Sequence, residues 1–143
     1  MIDGGLRPIF RKRLPHMHWQ SVETGSVGRG IPDSNCCHRG IEFWIEFKTT
    51  NAWSVDLRPE QIAWLLRRHR AGGRVFVGVR RQVIAGPRKG PAVDELWLVH
   101  GWAAAELRQK GLKKISGPAV IGIYDNGPAS WPWDKIETLL LSN

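Results

Sequence analysis

A strand followed by a helix and a second strand constrains the fold of this 143-residue chain more than any other feature. Residues 41–48 alternate apolar and polar side chains with the two-residue period of a strand, and residues 74–79 are rich in valine. Between them a helix is predicted to begin at Pro59, a residue favoured in a first helical turn, and to end at Gly72. Two strands joined by a helix are typical of a parallel pair with a crossover connection.

The segments on either side of this unit predict an α/β domain with a mixed β-sheet flanked by helices. No internal repeat or linker-like stretch interrupts the chain, and we predict a single domain over residues 1–143. The other predicted elements are a short basic helix in 5–14, strands in 17–23 and 31–35, a hairpin formed by 81–85 and 95–99, a helix in 102–110, a strand in 119–124 and a last helix that Ser130 caps and that runs to Leu141.

The strand that precedes the central helix carries ionisable side chains in its inner part. Because strand side chains alternate, Glu46 and Lys48 share one face and Phe47 points to the other. Two ionised groups in such a place cost free energy unless they have partners. A divalent cation would satisfy Glu46, a phosphate or an attacking water would satisfy Lys48, and Asp33 would add a hard oxygen ligand of the kind that Mg²⁺ prefers. The alternative is a surface ion pair between Glu46 and Lys48, with Asp33 only a turn residue after Pro32.

The charge balance indicates a polyanion as the partner. The chain has 21 Lys and Arg against 13 Asp and Glu, a formal net charge of +8, which is typical of a nucleic-acid-binding domain. A basic protein that is kept soluble by its charge is the alternative. We expect no secretory signal peptide and no membrane partner, because no apolar stretch has the length of a signal h-region or a membrane span.

The cysteines and the nearby histidines are not predicted to bind a metal. Cys36 and Cys37 are the only cysteines and are neighbours, so a disulfide framework is excluded and a reducing, cytoplasmic compartment is expected. With His38 they offer soft ligands, but no second cysteine pair completes a tetrahedral zinc site, and they are predicted to be loop and core residues. His16 and His18 are predicted to lie at the surface.

The order of these motifs resembles a known family of nucleases. Gly30-Ile31-Pro32-Asp33 is followed by Trp44-Ile45-Glu46-Phe47-Lys48, then by Gln61 on the next helix and by a valine-rich strand. This order resembles the PD-(D/E)XK nuclease superfamily, most closely its VRR-NUC and Holliday-junction-resolvase-like branch, over about residues 17–80. The resemblance implies a restriction-endonuclease-like core and a metal-dependent DNA endonuclease, in which metal-activated water hydrolyses a phosphodiester bond.

The resemblance also implies a role for each matching residue. Asp33 and Glu46 would bind Mg²⁺, with Mn²⁺ as a substitute, together with the backbone carbonyl of Phe47. Lys48 would orient or activate the attacking water and stabilise charge in the transition state. Gln61 would support the site from the helix.

The family has an additional acidic residue upstream, and its match here is open. The predicted N-terminal helix contains no Glu, and Asp3 is the only acid before Glu23. We predict Glu23, at the end of the first strand, as this catalytic and metal-binding carboxylate; the alternative is a solvated strand end that leaves the site with two carboxylates. DNA contacts are predicted at Arg88 and Lys89, on the projecting tip of the hairpin, and at Arg29 in the glycine-rich turn.

Substrate and assembly follow from the resemblance and from the size of the chain. A 143-residue chain leaves no room for a separate sequence-reading domain, so we expect cleavage of branched or junction DNA, or nonspecific cleavage. Junction-resolving relatives commonly act as homodimers, and a homodimer is expected; a phage origin, with action in the host cytoplasm, would suit so compact a nuclease. Two alternatives are a non-catalytic DNA-binding module of the same fold and a basic structural protein of a nucleoprotein or virion assembly.

Overall fold

The computed structural model of the protein describes residues 3–23, 30–86 and 91–142. Within these ranges the chain forms one six-stranded mixed sheet with helices packed on both faces, which confirms the predicted α/β class. The strands are β1 (His18–Ser21), β2 (Ser34–His38), β3 (Ile41–Thr50), β4 (Val75–Ile84), β5 (Pro91–His100) and β6 (Val120–Tyr124); the helices are α1 (Leu6–Arg13), α2 (Pro59–Arg70), α3 (Ala104–Lys114) and α4 (Trp133–Leu141).

The strands are arranged in the sheet in the order in which they occur in the chain. Each neighbouring pair is antiparallel except β3 and β4, which are parallel because α2 carries the chain back across the sheet between them. The predicted strand–helix–strand unit is therefore confirmed. In the parallel pair Glu46 lies beside Val77 and Lys48 lies beside Val79, so the charged positions of β3 have apolar neighbours on β4.

The alternation in β3 separates two hydrophobic cores. Phe43, Ile45 and Phe47 are buried on the face that α1 and α4 cover, in contact with residues such as Phe10. Trp44 lies on the other face, packed against the core that α2 and α3 cover. Because Glu46 and Lys48 share the face of Trp44, they point toward the side of the sheet on which α2 packs.

Several predicted boundaries are wrong. β5 begins at Pro91 and not at residue 95, and α3 spans Ala104–Lys114 and not 102–110. The second strand is Ser34–His38 and not 31–35, because its pairing with β3 places Cys36 opposite Phe43, and the cysteines are therefore strand residues and not loop residues. Residues 75–84 form one continuous strand instead of two. The last helix begins at Trp133 and not at Ser130, whose N–H bonds to the Gly127 carbonyl in a turn. No helix within the described ranges is long and apolar enough to cross a membrane.

Candidate active site

Four residues whose side chains are predicted to act in the site line one cleft, together with Phe47, whose backbone carbonyl is a predicted ligand. Asp33 immediately precedes β2, Glu46 and Lys48 lie in β3, and Gln61 lies in the first turn of α2. The cleft has a volume of about 680 Å³. Its other lining residues are Asp3, Arg7, Val22, Ile31, Phe47, Asp56 and Arg58.

Hydrogen bonds from backbone N–H groups link the Asp33 and Glu46 segments. The Asp33 N–H donates to Glu46 Oε1 at 3.1 Å, and the Phe47 N–H donates to Asp33 Oδ2 at 3.1 Å. The Ser34 hydroxyl donates to Asp33 Oδ1 at 3.0 Å. These bonds fix the orientation of both carboxylates, and each carboxylate oxygen keeps further lone-pair capacity for a cation.

Gln61 joins the start of α2 to Glu46. Its Nε2 donates to Glu46 Oε2 at 3.1 Å, while its Oε1 accepts the Arg58 N–H at 3.0 Å and so caps the helix. Pro59 at the first helical position and this cap determine where α2 begins. The glutamine is only 4% exposed, so it is a buried residue of the cleft wall and does not face solvent.

Lys48 lies beside Glu46 inside the cleft. The distance from Lys48 Nζ to Glu46 Oε2 is 3.6 Å, and the two residues are only 9% and 6% exposed. This burial excludes the alternative of a surface ion pair on a half-exposed strand. Phe47 also borders the cleft, and because its ring packs in the opposite core, it is the Phe47 backbone that faces the site.

The electrostatic environment opposes ionisation of both carboxyls. Burial and, to a smaller extent, the charge of the adjacent Asp33 raise the pKa of Glu46 to about 7, although Lys48 and the Asp33 N–H act in the opposite direction. Burial also raises the pKa of Asp33 to about 6, although hydrogen bonds from the Phe47 N–H and the Ser34 hydroxyl act in the opposite direction. Two adjacent carboxyls of this kind, one buried and one half-buried, fit a divalent cation, because its charge would favour the ionised form of both.

A further buried carboxylate in the cleft is Asp3, which the sequence does not single out as a site residue. It precedes α1, is 7% exposed, and accepts the Gly5 N–H at 2.9 Å and the Arg7 Nε–H at 3.0 Å. Glu23, the predicted upstream acid, is exposed after the end of β1 and is not among the residues that line the cleft. The sequence feature that points to Asp3 is its position two residues before the predicted helix of residues 5–14.

The predicted DNA contacts Arg29, Arg88 and Lys89 lie outside the described residues. Within the described ranges, two arginines border the cleft: Arg7 from α1 and Arg58 from the start of α2. An adjoining cavity of about 380 Å³ shares Asp3 and Arg7 with the cleft and continues along α1 to Arg11. This surface therefore combines carboxylates with positively charged side chains that extend beyond them.

Compared with protein-family models and with curated proteins, the chain matches none.

Proposed function

We propose that this protein is a metal-dependent endonuclease with a restriction-endonuclease-like core, and that it hydrolyses phosphodiester bonds in DNA. The observation that carries the proposal is the convergence of the buried Glu46, the half-buried Asp33 and the buried Lys48 in one cleft, at 3.6 Å between Lys48 Nζ and Glu46 Oε2. This combination suits phosphodiester hydrolysis, because the substrate is anionic and the leaving oxygen gains charge.

Each residue has a task in this proposal. Asp33, Glu46 and the Phe47 carbonyl would hold Mg²⁺ or Mn²⁺, which would supply Lewis-acid activation of water and phosphate when bound. Lys48 orients the attacking water and stabilises the negative charge on the phosphate. Gln61 fixes the rotamer of Glu46 through its 3.1 Å hydrogen bond. Asp3, in place of Glu23, supplies the third carboxylate.

The substrate and assembly belong to the same proposal. The net charge of +8 and the two arginines at the cleft support DNA as the substrate. The resemblance to junction-resolving nucleases supports branched or nonspecific DNA and a homodimer, and we extend it to a phage protein that acts in the host cytoplasm.

The test is a cleavage assay on supercoiled plasmid and on a four-way junction, with Mg²⁺, Mn²⁺ or EDTA. Glu46→Gln and Lys48→Ala should each abolish cutting while DNA binding persists. Glu42→Gln is the matched control, since Glu42 lies on the same face of β3 but is exposed and outside the cleft lining. Binding without cutting under every metal would overturn the proposal in favour of a non-catalytic DNA-binding module, and the preferred substrate would show whether branched DNA is selected.

A further inference from the structure

A second group of metal-ligating side chains lies far from the cleft. His16 follows α1, His38 ends β2, and Glu137 lies in α4; one ligand atom from each lies within 4.8 Å of the other two. His16 Nε2 is in hydrogen-bonding contact with Glu137 Oε1, and the imidazole rings of His16 and His38 are 5.2 Å apart between centroids. Asp33 directly precedes β2 and His38 ends it, so the two residues are about 17 Å apart along extended chain.

The backbone that carries these side chains is anchored by buried neighbouring residues. His16 lies between Leu14 and Met17, which are both buried, and Glu137 follows Ile136, which is fully buried. His38 precedes a tight turn to β3 in which the next two residues have positive φ angles of 52° and 79°. The ligand set is therefore largely preformed by the fold, although the three residues are separated widely in sequence.

We propose that His16, His38 and Glu137 form a zinc site. Two imidazole nitrogens and one carboxylate oxygen are a ligand set that Zn²⁺ accepts in its tetrahedral geometry, with water as the fourth ligand. Zn–N distances of about 2.0–2.1 Å place tetrahedral ligands about 3.3 Å apart. The ligand atoms lie within 4.8 Å of one another, so the largest approach needed to reach that geometry is about 1.5 Å. Mg²⁺ and Ca²⁺ prefer oxygen-only sites, so the imidazoles favour Zn²⁺ over the metal proposed for the cleft.

Zn²⁺ bound here would link three parts of the fold. These are the segment between α1 and β1, the end of β2, and α4. His16 and Glu137 are 121 residues apart, so the ion would close a long loop of the unfolded chain. A ligand that binds only the folded state stabilises it in proportion to the logarithm of its concentration. The site's first expected consequence is therefore a zinc-dependent increase in the unfolding temperature.

The test is a Zn²⁺ titration of chelator-treated protein by calorimetry and by thermal unfolding, in the Asp33→Asn background and again in Glu46→Gln. These backgrounds weaken the cleft as a competing metal site, so the result is independent of nuclease activity. We expect one bound Zn²⁺ per chain and an unfolding temperature raised by about 5–10 °C when Zn²⁺ is about 100 times its dissociation constant. His16→Ala and His38→Ala should each weaken binding at least about 100-fold, since loss of a mere outer-shell partner costs 10–100-fold.

His18→Ala is the matched control, because His18 is exposed two residues from His16 and outside the group. The quantity compared is the zinc-dependent increment of each variant, since removal of His16 also removes its contact with Glu137. The proposal is overturned if both backgrounds bind no Zn²⁺, or if His16→Ala and His38→Ala bind it as tightly as His18→Ala does. Either result would reduce the group to a histidine–glutamate ion pair.

Discussion

At the scale of single residues, Glu46 shows how the site couples charge to burial. Its carboxyl group lies between Asp33 and Lys48 with its pKa raised to about 7, mainly by burial. The pKa of Glu46 in the folded state, about 7, lies above its ordinary value of 4.5. Between these two pH values the folded protein therefore binds more protons than the unfolded protein does. Without metal, the contribution of Glu46 to stability is thus greatest in its protonated form and is lost as the pH rises through about 7.

We therefore predict that Glu46→Gln stabilises the protein in EDTA at about pH 7.5 by about 1–3 kcal/mol. The amide cannot ionise, so the advantage over the wild type should shrink as the pH falls toward about 5. Urea unfolding of the wild type and of Glu46→Gln between about pH 5 and 7.5 measures this difference in the free energy of unfolding. Glu42→Gln should show no such trend. An advantage that is independent of pH would contradict the explanation. Mg²⁺ should stabilise the wild type at the higher pH much more than it stabilises Glu46→Gln.

A second prediction at the residue scale concerns the third carboxylate. Asp3 is buried in the cleft and Glu23 is exposed outside its lining. We expect Asp3→Asn to lower the Mg²⁺-dependent cleavage rate at least about tenfold, as loss of a ligand or of its support typically does, while Glu23→Gln stays within about twofold. Initial rates at several Mg²⁺ concentrations measure this, with unfolding temperatures to check that both variants fold. The reverse order would restore Glu23 as the upstream acid.

At the scale of secondary-structure elements, the sequence could predict what depends on local periodicity. The alternation in residues 41–48 is strict enough to assign Glu46 and Lys48 to one face, and the helix that begins at Pro59 has its start signal beside it. The position of β2 could not be predicted in the same way. Its span depends on pairing with β3, and the Ser-Asn-Cys-Cys sequence has no strong strand preference of its own.

In the site, too, some features follow from local sequence and others depend on tertiary packing. Gln61 could be assigned through the order of the motifs, but its burial depends on how the first turn of α2 packs against β3. Asp3 could not be selected over Glu23, because that choice requires the position of α1 relative to the cleft. His16 and Glu137 are 121 residues apart, and no spacing rule connects them.

An element-scale prediction concerns the contact between the start of α2 and the segment that leads into β2. Gly30 has a φ of +87°, and a Cβ atom there would lie 2.1 Å from the Glu60 carbonyl oxygen. We expect Gly30→Ala to destabilise the protein by about 3 kcal/mol or more, from positive-φ strain and from overlap with the α2 backbone. Gly40→Ala is the matched control, because Gly40 has a φ of +79° and open space around it, so it should lose only about 1 kcal/mol.

Denaturant unfolding of both glycine variants measures the difference. Equal losses of stability would show that only the φ angle matters and that the close approach to α2 does not. Because Gly30→Ala would also displace the helix that carries Gln61, its cleavage rate should fall more than that of Gly40→Ala at a temperature where both remain folded.

At the scale of the whole molecule, the cleft is the place where helices from both faces of the sheet meet. α1 covers one core and contributes Arg7, whereas α2 covers the other and contributes Gln61, with Arg58 directly before its first residue. These two arginines place positive charge at the edge where the carboxylates lie. A polyanion can approach this edge only if the arginines offset the local negative charge, so DNA affinity should depend strongly on them.

We accordingly predict that DNA binding in EDTA, where no cutting occurs, falls linearly on a logarithmic scale with salt, with a slope of about −3 or steeper. Arg58→Ala should reduce the steepness of this slope by about one unit, because one phosphate contact is lost. Arg58 contributes its backbone N–H to the cap of α2, so the variant keeps the start of this helix.

Lys135→Ala on α4 is the matched control: Lys135 is exposed, and α4 contributes no residue to the cleft lining within the described part of the chain. Fluorescence anisotropy across a salt series measures both slopes. If the two variants change the slope equally, the positive charge acts diffusely over the whole surface, and the arginines at the cleft do not define the path of the DNA.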